Sequence, residues 1–535
     1  MALSDLPSPF AQSAIAAITN LFPETCSQPG GLLVAVYYIL LISIIHFYLR
    51  TRPLAIPSTL PGPKRFPYFG YLPHVLQHWH VWPTETTRLA KHFKQTWGGP
   101  LPKFGGLPGA YFYIHDVENV QHILSSRFDN YVKGDIWDRV LGEMLGVGIF
   151  AIDGDRWKVH RKLMSNMFSR NLLRHTAAIT EKKLVGMFES FDKRCSEAEV
   201  KGDDGGFSIN IQDVFFRLTI DVTSILTFDL DLYSVENEKQ HEFALAFDEL
   251  SDLCQKRFTD PFFEIKKLFR LTHRERRIPV LKGVVDEFAY KVISSKRRCA
   301  ADGSPLGPDL LSRFIDHARQ NDEEISNSEL RDVIMNVLLA GRDTTACALS
   351  WTFYELTRHP EVVVKIVQEV ESVCGVGKDA EYSYDTTAKL KYVHCVALEV
   401  LRLHPSVTND PRYAVKDDVL PDGTRIPAGA GIDICIFAMG RKEEIWGNDA
   451  LEFRPERFMG EKDPSAFKYP VFNAGPRTCL GRPLAIMNMK LVMSMLLTSE
   501  FEIVDSIGHD GNYYWTLVES MKGGFEVTIR RRKRL

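Results

Sequence analysis

Residues 472–481 place a cysteine in a loop suited to metal ligation. The segment reads FNAGPRTCLG, so that Phe472, Gly475, Arg477 and Gly481 surround Cys479 at fixed spacing. A cysteine ligates metal as the thiolate, which is stabilised by backbone N–H donors and by a following helix N-terminus. Glycines let the backbone approach a flat cofactor, and an arginine can pair with a carboxylate of that cofactor. We therefore predict a thiolate ligand at Cys479, with Phe472 packed near the sulfur.

The apolar, methionine-rich run at residues 484–497 predicts the helix that follows this loop. A haem-thiolate centre needs all of these parts, because the anionic sulfur pushes electron density onto the iron and favours O–O cleavage. The alternative is a buried structural cysteine in a glycine loop, which would not require five positions at this spacing. We therefore predict that Cys479 is the axial ligand of a haem iron.

A second segment, AGRDTT at residues 340–345, puts an acid beside an alcohol inside a long helical stretch. Ala340 is four residues before Thr344, so the two share a helix face. The alternative is a capping Asp-Thr-Thr loop. The largely apolar flanks, IMNVLLA before and ACALSW after, favour the helix. Asp343 and Thr344 are therefore candidate catalytic residues.

Two further pairs of residues are weak evidence for a function when each is taken alone. Glu399 and Arg402 are three residues apart and share a helix face, as many solvated pairs do. Trp157 and Arg161 are four apart in DGDRWKVHRKL, and the segment FRPERF at residues 453–458 contains Arg457.

In sum these motifs resemble the cytochrome P-450 superfamily, from about residue 60 to the C-terminus. They occur in the order that family shows: Trp157, Thr344, Glu399 and Cys479. The resemblance implies a fold that is mainly α with a smaller β region, and a haem b held through Cys479. In the family, Arg457 completes a buried network with Glu399 and Arg402 on the haem side.

The resemblance also implies roles around the cofactor. Asp343 and Thr344 correspond to the acid–alcohol pair that relays protons on the oxygen-binding side, where Gly341 lets the helix open. Trp157 and Arg161 correspond to residues that contact the haem propionates from a separate helix.

The segments AGRDTTACALSW, FTDPFFEIKKLF and VKDDVLPDGT resemble those of one branch of the family, the plant and fungal fatty-acid and alkane hydroxylases. That branch implies a long-chain aliphatic substrate, oxidised at or near its terminal methyl. Animal relatives often carry a glutamate that can esterify the haem where this chain has Ala340, so we expect non-covalent haem. Thr408 replaces a usual proline beside the pocket, which leaves chain length and regiochemistry open.

Composition excludes several other classes of protein. The 535 residues are 45% hydrophobic and 25% charged, which is ordinary for a globular protein, and the net charge of −3 gives no basis for a nucleic-acid partner. The 9 cysteines contain no CxxC pair, which argues against a zinc ribbon or a disulfide framework and favours a reducing compartment.

The N-terminal region predicts a membrane anchor. Residues 31–49 contain no Lys, Arg, Asp or Glu, and no Lys or Arg precedes Arg50. The length approaches the roughly 20 residues needed to cross a bilayer, and a cleaved signal peptide would need a basic start. The charge bias predicts a lumenal segment at 1–30, one transmembrane helix at 31–49, a proline-rich hinge at 50–70 and a cytosolic catalytic domain at 71–535, on the endoplasmic reticulum.

Within the catalytic region we predict long helices at residues 178–195, 280–299 and 328–357, and strands from Tyr111, within 417–429 and near the C-terminus. Loops are expected at 201–206, 301–309 and 375–383. The aromatic and basic stretch at 256–277 is either a membrane-facing element or a solvated basic helix.

The chain has no flavin or nicotinamide fingerprint, so its electrons must come from a partner. The resemblance implies the membrane-bound NADPH–cytochrome reductase, O2 and a lipophilic substrate, and Arg156, Lys158 and Lys162 are candidates for docking the reductase. Three alternatives remain: a monooxygenase of another lipophilic metabolite, a lipid hydroperoxide isomerase or dehydratase, and a non-enzymatic haem sensor or membrane-anchored structural protein.

Overall fold

A computed structural model describes residues 51–532 apart from 104–106, 166–167, 202–205, 303, 305, 323 and 461–462, together with a few positions between 37 and 48. Twelve of the 19 residues of the anchor predicted at 31–49 therefore lie outside the described residues. No helix formed by the residues that are described is long and apolar enough to cross a membrane.

Helices make up most of the described chain, as predicted. In chain order they are α1 Leu72–His78, α2 Trp82–Phe93, α3 Val117–Gln121, α4 Ile136–Leu145, α5 Gly154–Ser165, α6 Arg170–Val200, α7 Ile211–Phe228, α8 Glu242–Gln255, α9 Phe263–Leu268, α10 His273–Ala301, α11 Leu310–Gln320, α12 Asn327–Leu338, α13 Thr344–Arg358, α14 Pro360–Cys374, α15 Tyr384–Lys389, α16 Lys391–Leu403, α17 Ile436–Met439, α18 Glu443–Trp446 and α19 Arg482–Thr498.

The strands are short and lie at the sides of the helical core. They are β1 Trp97–Pro100, β2 Ala110–Ile114, β3 Tyr131–Val132, β4 Phe207–Asn210, β5 Asn409–Ala414, β6 Asp418–Val419, β7 Arg425–Ile426, β8 Gly431–Cys435, β9 Phe501–Val504, β10 Tyr513–Trp515, β11 Glu519–Met521 and β12 Glu526–Arg531. The largest sheet has the order β1-β2-β8-β5-β3, and only its β2–β8 pair is parallel.

The three long helices and three strand regions predicted from the sequence are confirmed. The stretch predicted as one helix at 328–357 is α12 and α13 joined by a π-helical turn, Leu339–Asp343. A capping box starts α12, where Ser326 and Glu329 satisfy each other's backbone N–H groups. π-turns inside helices often mark functional sites, and this one includes the predicted acid.

The main core supports the loop that carries Cys479. It packs α19 against α6, α14, α16 and α13 around fully buried side chains such as Trp351. Because α19 is buried along most of its length, its first residues are held in a fixed position. The cysteine loop before α19 is therefore anchored by the largest hydrophobic cluster in the described part of the chain.

The proline-rich segment contains no helix between residues 52 and 70, as its prolines predict. It packs on the sheet rather than standing free of it. The N–H of Leu54 donates to the carbonyl of Gly109 at 2.9 Å, and the N–H of Gly98 donates to the carbonyl of Pro61 at 2.9 Å. Leu60 is buried beside them. The segment thus has a fixed direction relative to β1 and β2.

Candidate active site

The cysteine loop at residues 472–481 leaves the side chain of Cys479 exposed. Its backbone N–H donates to the carbonyl of Phe472 at 2.7 Å, which closes the loop. Burial by surrounding protein raises the pKa of the thiol, and the N–H groups of Gly481 and Arg482 oppose this by donating to the sulfur. These two N–H groups belong to the start of α19, so the helix N-terminus also favours the thiolate. The residue is nonetheless exposed at its surface, as a ligand facing a cofactor cavity must be.

The two glycines of the loop have different roles. Gly475 has a φ of +64°, and a Cβ there would lie 2.0 Å from the carbonyl oxygen of Leu124. This glycine is therefore required by the close approach of another backbone segment, and its approach to the cofactor stays a prediction. A Cβ at Gly481 would meet only ordinary contacts, the nearest being the Cys479 sulfur at 3.7 Å. Phe472 is half-buried against the main core, under the guanidinium of Arg482.

Three buried cations converge beside this loop. Lys133 and Arg412 both bind Asp410, at 2.8 and 2.7 Å, and Arg477 binds Asp153 at 2.6 Å. Burial and the neighbouring Arg412 lower the pKa of Arg477 to about 10. One guanidinium nitrogen of Arg412, Nη2, is buried without a hydrogen-bond partner. Three cations share two carboxylates here, so the cluster fits a further anion such as a haem propionate.

Sequence reasoning identified Arg477 but missed Lys133 and Arg412. Arg412 stands four residues after Thr408, in the stretch that was expected only to border the pocket. The sequence did carry one indication of Arg412. Side chains alternate between the two faces of a strand, and on β5 this alternation places Arg412 on the buried face.

The predicted pair Trp157 and Arg161 lies on α5 against the same loop. Arg161 donates from Nη2 to the carbonyl of Thr478 at 2.6 Å, and the Trp157 ring centroid lies 4.5 Å from the guanidinium carbon of Arg477. The structure thus brings both residues to the cysteine loop. Their contact with propionates stays a prediction.

The π-turn Leu339–Asp343 contains or adjoins the other predicted site residues. The hydroxyl of Thr344 donates to the carbonyl of Ala340 at 2.6 Å, so the two share a face as expected. The hydroxyl of Ser406 donates to the carbonyl of Thr344 at 2.7 Å and fixes its backbone. A Cβ at Gly341 would lie 2.9 Å from the side chain of Thr223. Glycine is therefore needed where the turn packs on α7, whatever it also does beside the haem.

The surroundings of Asp343 raise the pKa of its carboxyl group. Burial raises its pKa to about 7, against the opposing effect of the adjacent Arg342, whose Nη1 lies 3.0 Å from Asp343 Oδ1. Arg342 also binds Asp248 on α8, with Nη2 to Oδ2 at 2.8 Å. A carboxyl group that is partly protonated at neutral pH is suited to proton transfer.

The Glu399, Arg402 and Arg457 side chains meet in a buried network. Arg402 donates to both carboxylate oxygens of Glu399, at 2.7 and 2.8 Å, and both residues are fully buried. Arg457 lies 3.5 Å from Glu399 and binds Asp449 at 2.9 Å. The remaining N–H groups of Arg402 donate to three backbone carbonyls: those of Gly440, Ala450 and Glu452.

A cavity of about 690 Å³ lies beside the sheet, and Thr408 is part of its lining, as expected for the segment that borders the pocket. Its volume is in the usual range for small-molecule sites, roughly 300–1,000 Å³. Aromatic side chains form much of the wall: Trp79, Trp137, Trp515, Phe258, Tyr111 and Tyr413.

Comparison with known proteins agrees with this geometry. The family model described as Cytochrome P450 matches residues 60–506. The chain is 35% identical over 438 residues to "Cytochrome P450 CYP94D109" of Paris polyphylla, covering 78% of this chain and 84% of that protein. It is 31% identical over 517 residues to "Cytochrome P450 704B1" of Arabidopsis thaliana, with 88% and 95% covered. It is 29% identical over 526 residues to "Alkane hydroxylase MAH1" of the same plant, with 94% and 99% covered.

The predicted resemblance is thus confirmed, and with it the cofactor that the family uses, a haem b with a cysteine thiolate as axial ligand. The chain belongs to the cytochrome P450 family.

Proposed function

We propose that this enzyme is a membrane-bound monooxygenase that hydroxylates a long-chain aliphatic substrate at or near its terminal methyl. The main support for this proposal is the large cavity, whose aromatic and aliphatic walls suit a lipophilic molecule. A relative of similar length is named an alkane hydroxylase. The acid–alcohol pair at Asp343 and Thr344 supports oxygen chemistry over hydroperoxide rearrangement, because rearrangement needs no proton delivery.

The bound haem supplies oxygen activation, and the protein supplies the ligand and the protons. The N–H groups of Gly481 and Arg482 stabilise the Cys479 thiolate. On the other side, the Thr344 hydroxyl is held by the Ala340 carbonyl, next to a carboxyl group that exchanges protons near neutral pH. Asp343 can therefore take a proton from solvent and pass it toward the Thr344 hydroxyl.

The activity is tested with the full-length holoenzyme reconstituted with reductase and NADPH. Fatty acids, alkanes and sterols are incubated separately, and products are identified by mass spectrometry. We expect terminal or near-terminal alcohols from the linear chains. Turnover of sterols alone would contradict the proposed substrate class, and no NADPH-dependent turnover of any compound would contradict the monooxygenase assignment.

Replacing Thr344 by alanine should leave haem binding intact and divert reducing equivalents into peroxide. The hydroxyl that positions the transferred proton is lost, and groups of this kind contribute about 10²- to 10⁴-fold in rate. The measurement is the ratio of alcohol product to NADPH consumed, together with the peroxide released.

Thr352→Ala is the matched control. Thr352 is also on α13 and makes the same type of bond, from its hydroxyl to the carbonyl of Ala348 at 2.7 Å, two turns farther along. Its variant should keep the wild-type ratio. An unchanged ratio in Thr344→Ala, or an equal fall in both variants, would contradict the role assigned to Thr344.

The proposed electron donor is the membrane-bound NADPH–cytochrome reductase. Arg156, Lys158 and Lys162 are exposed on α5, whose buried face holds Trp157 beside the cysteine loop. Arg156 binds Glu329 and Lys158 binds Asp155, both at 2.8 Å. These exposed pairs are weak, so an acidic partner can compete for the basic side chains.

The segment at 256–277 offers an apolar surface for membrane contact. Leu268, Phe269 and Leu271 are 74%, 66% and 59% exposed. Most of the basic side chains are instead paired within the protein: Arg257 with Glu143 and Glu275, Lys266 and Arg274 with Asp260, and Arg277 with Glu249. Apolar insertion therefore supports the membrane-facing interpretation better than attraction to anionic lipid does.

Deleting residues 1–49 should give a chain that still binds haem, because the sheet, the core and the cysteine loop are built from later residues. The truncated protein is expected to keep a looser membrane association through the exposed segment at 268–271, and replacing Leu268, Phe269 and Leu271 by serine should release it. Sedimentation with liposomes and the carbon monoxide difference spectrum measure the two effects.

Topology is measured on intact microsomes with external protease. A cytosolic catalytic domain on the endoplasmic reticulum is degraded without detergent. Protection of the region after residue 50 until detergent is added would show a lumenal domain, and would contradict both the orientation and the reductase partner.

A further inference from the structure

Two histidines and a buried glutamate meet at the corner between α1 and α2. His74 and His78 are four residues apart on α1, so they share a helix face, and Glu85 lies in the first turn of α2. One ring nitrogen of each histidine and one carboxylate oxygen of Glu85 lie within 4.8 Å of one another. The side chains of His74 and Glu85 are only 18% and 7% exposed. Imidazole nitrogens with a carboxylate oxygen are a common ligand set for Zn²⁺.

The contacts within this cluster suit metal ligation. The Nδ1–H of His78 donates to the carbonyl of His74 at 2.9 Å, so Nε2 of the neutral ring keeps its lone pair. Histidines that ligate a metal are usually oriented in this way, through donation from the second ring N–H. Nε2 of His74 lies 2.8 Å from Oε1 of Glu85. Zn²⁺ bonds of about 2.0–2.2 Å place tetrahedral ligand atoms roughly 3.4 Å apart, so a small outward movement of these side chains admits the ion.

Arg88 is the cation that a metal ion would have to displace or tolerate. Its guanidinium donates to both carboxylate oxygens of Glu85, at 2.6 and 2.8 Å. The side chain of Arg88 is nevertheless 61% exposed, and exposed ion pairs of this kind are weak. Arg88 can therefore turn toward solvent and leave Glu85 to a divalent ion, which carries twice its charge.

Among the described residues, one other group of side chains has a composition suited to a metal, namely Asp221, Asp231 and Glu236. The ammonium of Lys183 already lies among them, at 3.4, 2.6 and 2.7 Å. Lys183 is 1% exposed, so it cannot turn into solvent as Arg88 can. The histidine cluster is therefore the one of the two that is open to a metal ion.

We propose that His74, His78 and Glu85 form a Zn²⁺ site, with water in the fourth position and Arg88 turned toward solvent. Two nitrogen ligands favour zinc over Mg²⁺ and Ca²⁺, which prefer sets made of oxygen alone. His78 is half-buried, so the ion and its water have access from solvent. The bound ion joins α1 to α2 across the short turn at residues 79–81.

This corner also supports one wall of the large cavity. Leu72 and Val75 of α1, Trp79 of the turn and Trp82 of α2 all line that cavity. The ring of Trp79 packs on Trp515, another wall residue, with 4.1 Å between the ring centroids. A metal bridge between α1 and α2 restricts their relative movement, so Zn²⁺ makes this wall more rigid.

The test is isothermal titration calorimetry of the full-length holoenzyme, without a histidine tag and freed of metal by a chelator, with Zn²⁺ and with Mg²⁺. We expect Zn²⁺ to bind and Mg²⁺ not to bind. Glu85→Gln and His78→Ala each remove one ligand and should weaken Zn²⁺ binding at least about 10-fold. Arg88→Ala removes the competing cation and should tighten it. Absence of Zn²⁺ binding by the wild type, or equal affinity in the wild type and the ligand variants, would overturn the proposal.

His92→Ala is the matched control. His92 is an exposed histidine on α2 that lies outside the cluster, so its variant should keep the wild-type affinity for Zn²⁺. The carbon monoxide difference spectrum checks that each variant is folded. A loss of affinity in His92→Ala as large as that in His78→Ala would show that Zn²⁺ adsorbs to surface histidines, and would overturn the proposed site.

Two further measurements separate a metal site from a purely structural contact between His74 and Glu85. A ligand that binds only the folded chain stabilises it, so Zn²⁺ should raise the thermal unfolding midpoint of the wild type but not of Glu85→Gln. Hydrogen exchange should slow in α1 and α2 when Zn²⁺ is added, because the ion joins these helices. A midpoint that does not respond to Zn²⁺, or slower exchange only in other helices, would overturn the proposal. Neither measurement needs turnover, so their outcome is independent of the proposed function.

Discussion

Replacing Cys479 by alanine should abolish the red-shifted Soret band of the reduced carbon monoxide complex and with it all NADPH-dependent hydroxylation. That band requires a thiolate on the iron, and the anionic sulfur is also what favours O–O cleavage. The alanine side chain has no atom that can ligate the metal. The N–H groups of Gly481 and Arg482, which donate to the sulfur in the native loop, would lose their acceptor.

The matched control is Cys195→Ala. Cys195 is buried on α6 within the main core, and burial raises the pKa of its thiol. Its variant should keep the band and lose only modest stability. A Cys479→Ala protein that retained the red-shifted band would show that another residue ligates the iron, and the site described around α19 would be wrong.

The cysteine loop could be predicted from sequence because all its parts are local. The distance between Cys479 and the start of α19 is set by two intervening residues, and glycine marks the special backbone conformation at Gly475. The acid–alcohol pair was found for the same reason, since one helical turn separates Thr344 from Ala340. The π-turn itself was not predictable from the sequence. An apolar helical pattern looks the same whether the backbone makes the i→i+5 hydrogen bonds of a π-helix or the i→i+4 hydrogen bonds of an α-helix.

The parts of the site that could not be predicted come from distant segments. Arg412 and Lys133 meet at Asp410 only because β3 pairs with β5 in a sheet whose order does not follow the chain. Asp433 and Glu519 line one cavity from two different sheets, and each appears in sequence as an ordinary acid in a strand. Their burial and their shared cavity follow from the pairing of distant strands, which the sequence alone does not show.

Replacing Glu399 by glutamine should prevent accumulation of haem-loaded protein. The change removes one negative charge and leaves the fully buried guanidinium of Arg402 without its carboxylate, beside the nearby Arg457. Breaking a buried ion pair from one side costs about 3–5 kcal/mol, a large part of the roughly 5–15 kcal/mol that stabilises a typical domain. The carbonyls that Arg402 holds belong to Gly440, Ala450 and Glu452, so its displacement would also loosen the segment leading to the cysteine loop. The yield of haem-bound protein and its thermal unfolding midpoint are the measurements.

The geometry also predicts which substitution in this network destabilises the protein more. Arg457 lies 3.5 Å from Glu399 but binds Asp449 at 2.9 Å and the carbonyl of Trp446 at 2.8 Å, so its contact with Glu399 is the weaker of the two arginine contacts. Arg457→Lys should therefore destabilise less than Glu399→Gln, because a lysine keeps the charge and one donor near Asp449. Glu371→Gln, on the exposed face of α14, is the matched control and should stay within about 0.5 kcal/mol of the wild type. If Arg457→Lys proved as damaging as Glu399→Gln, or if Glu399→Gln matched the control, the stability of the haem-side core would have to come from contacts other than this network.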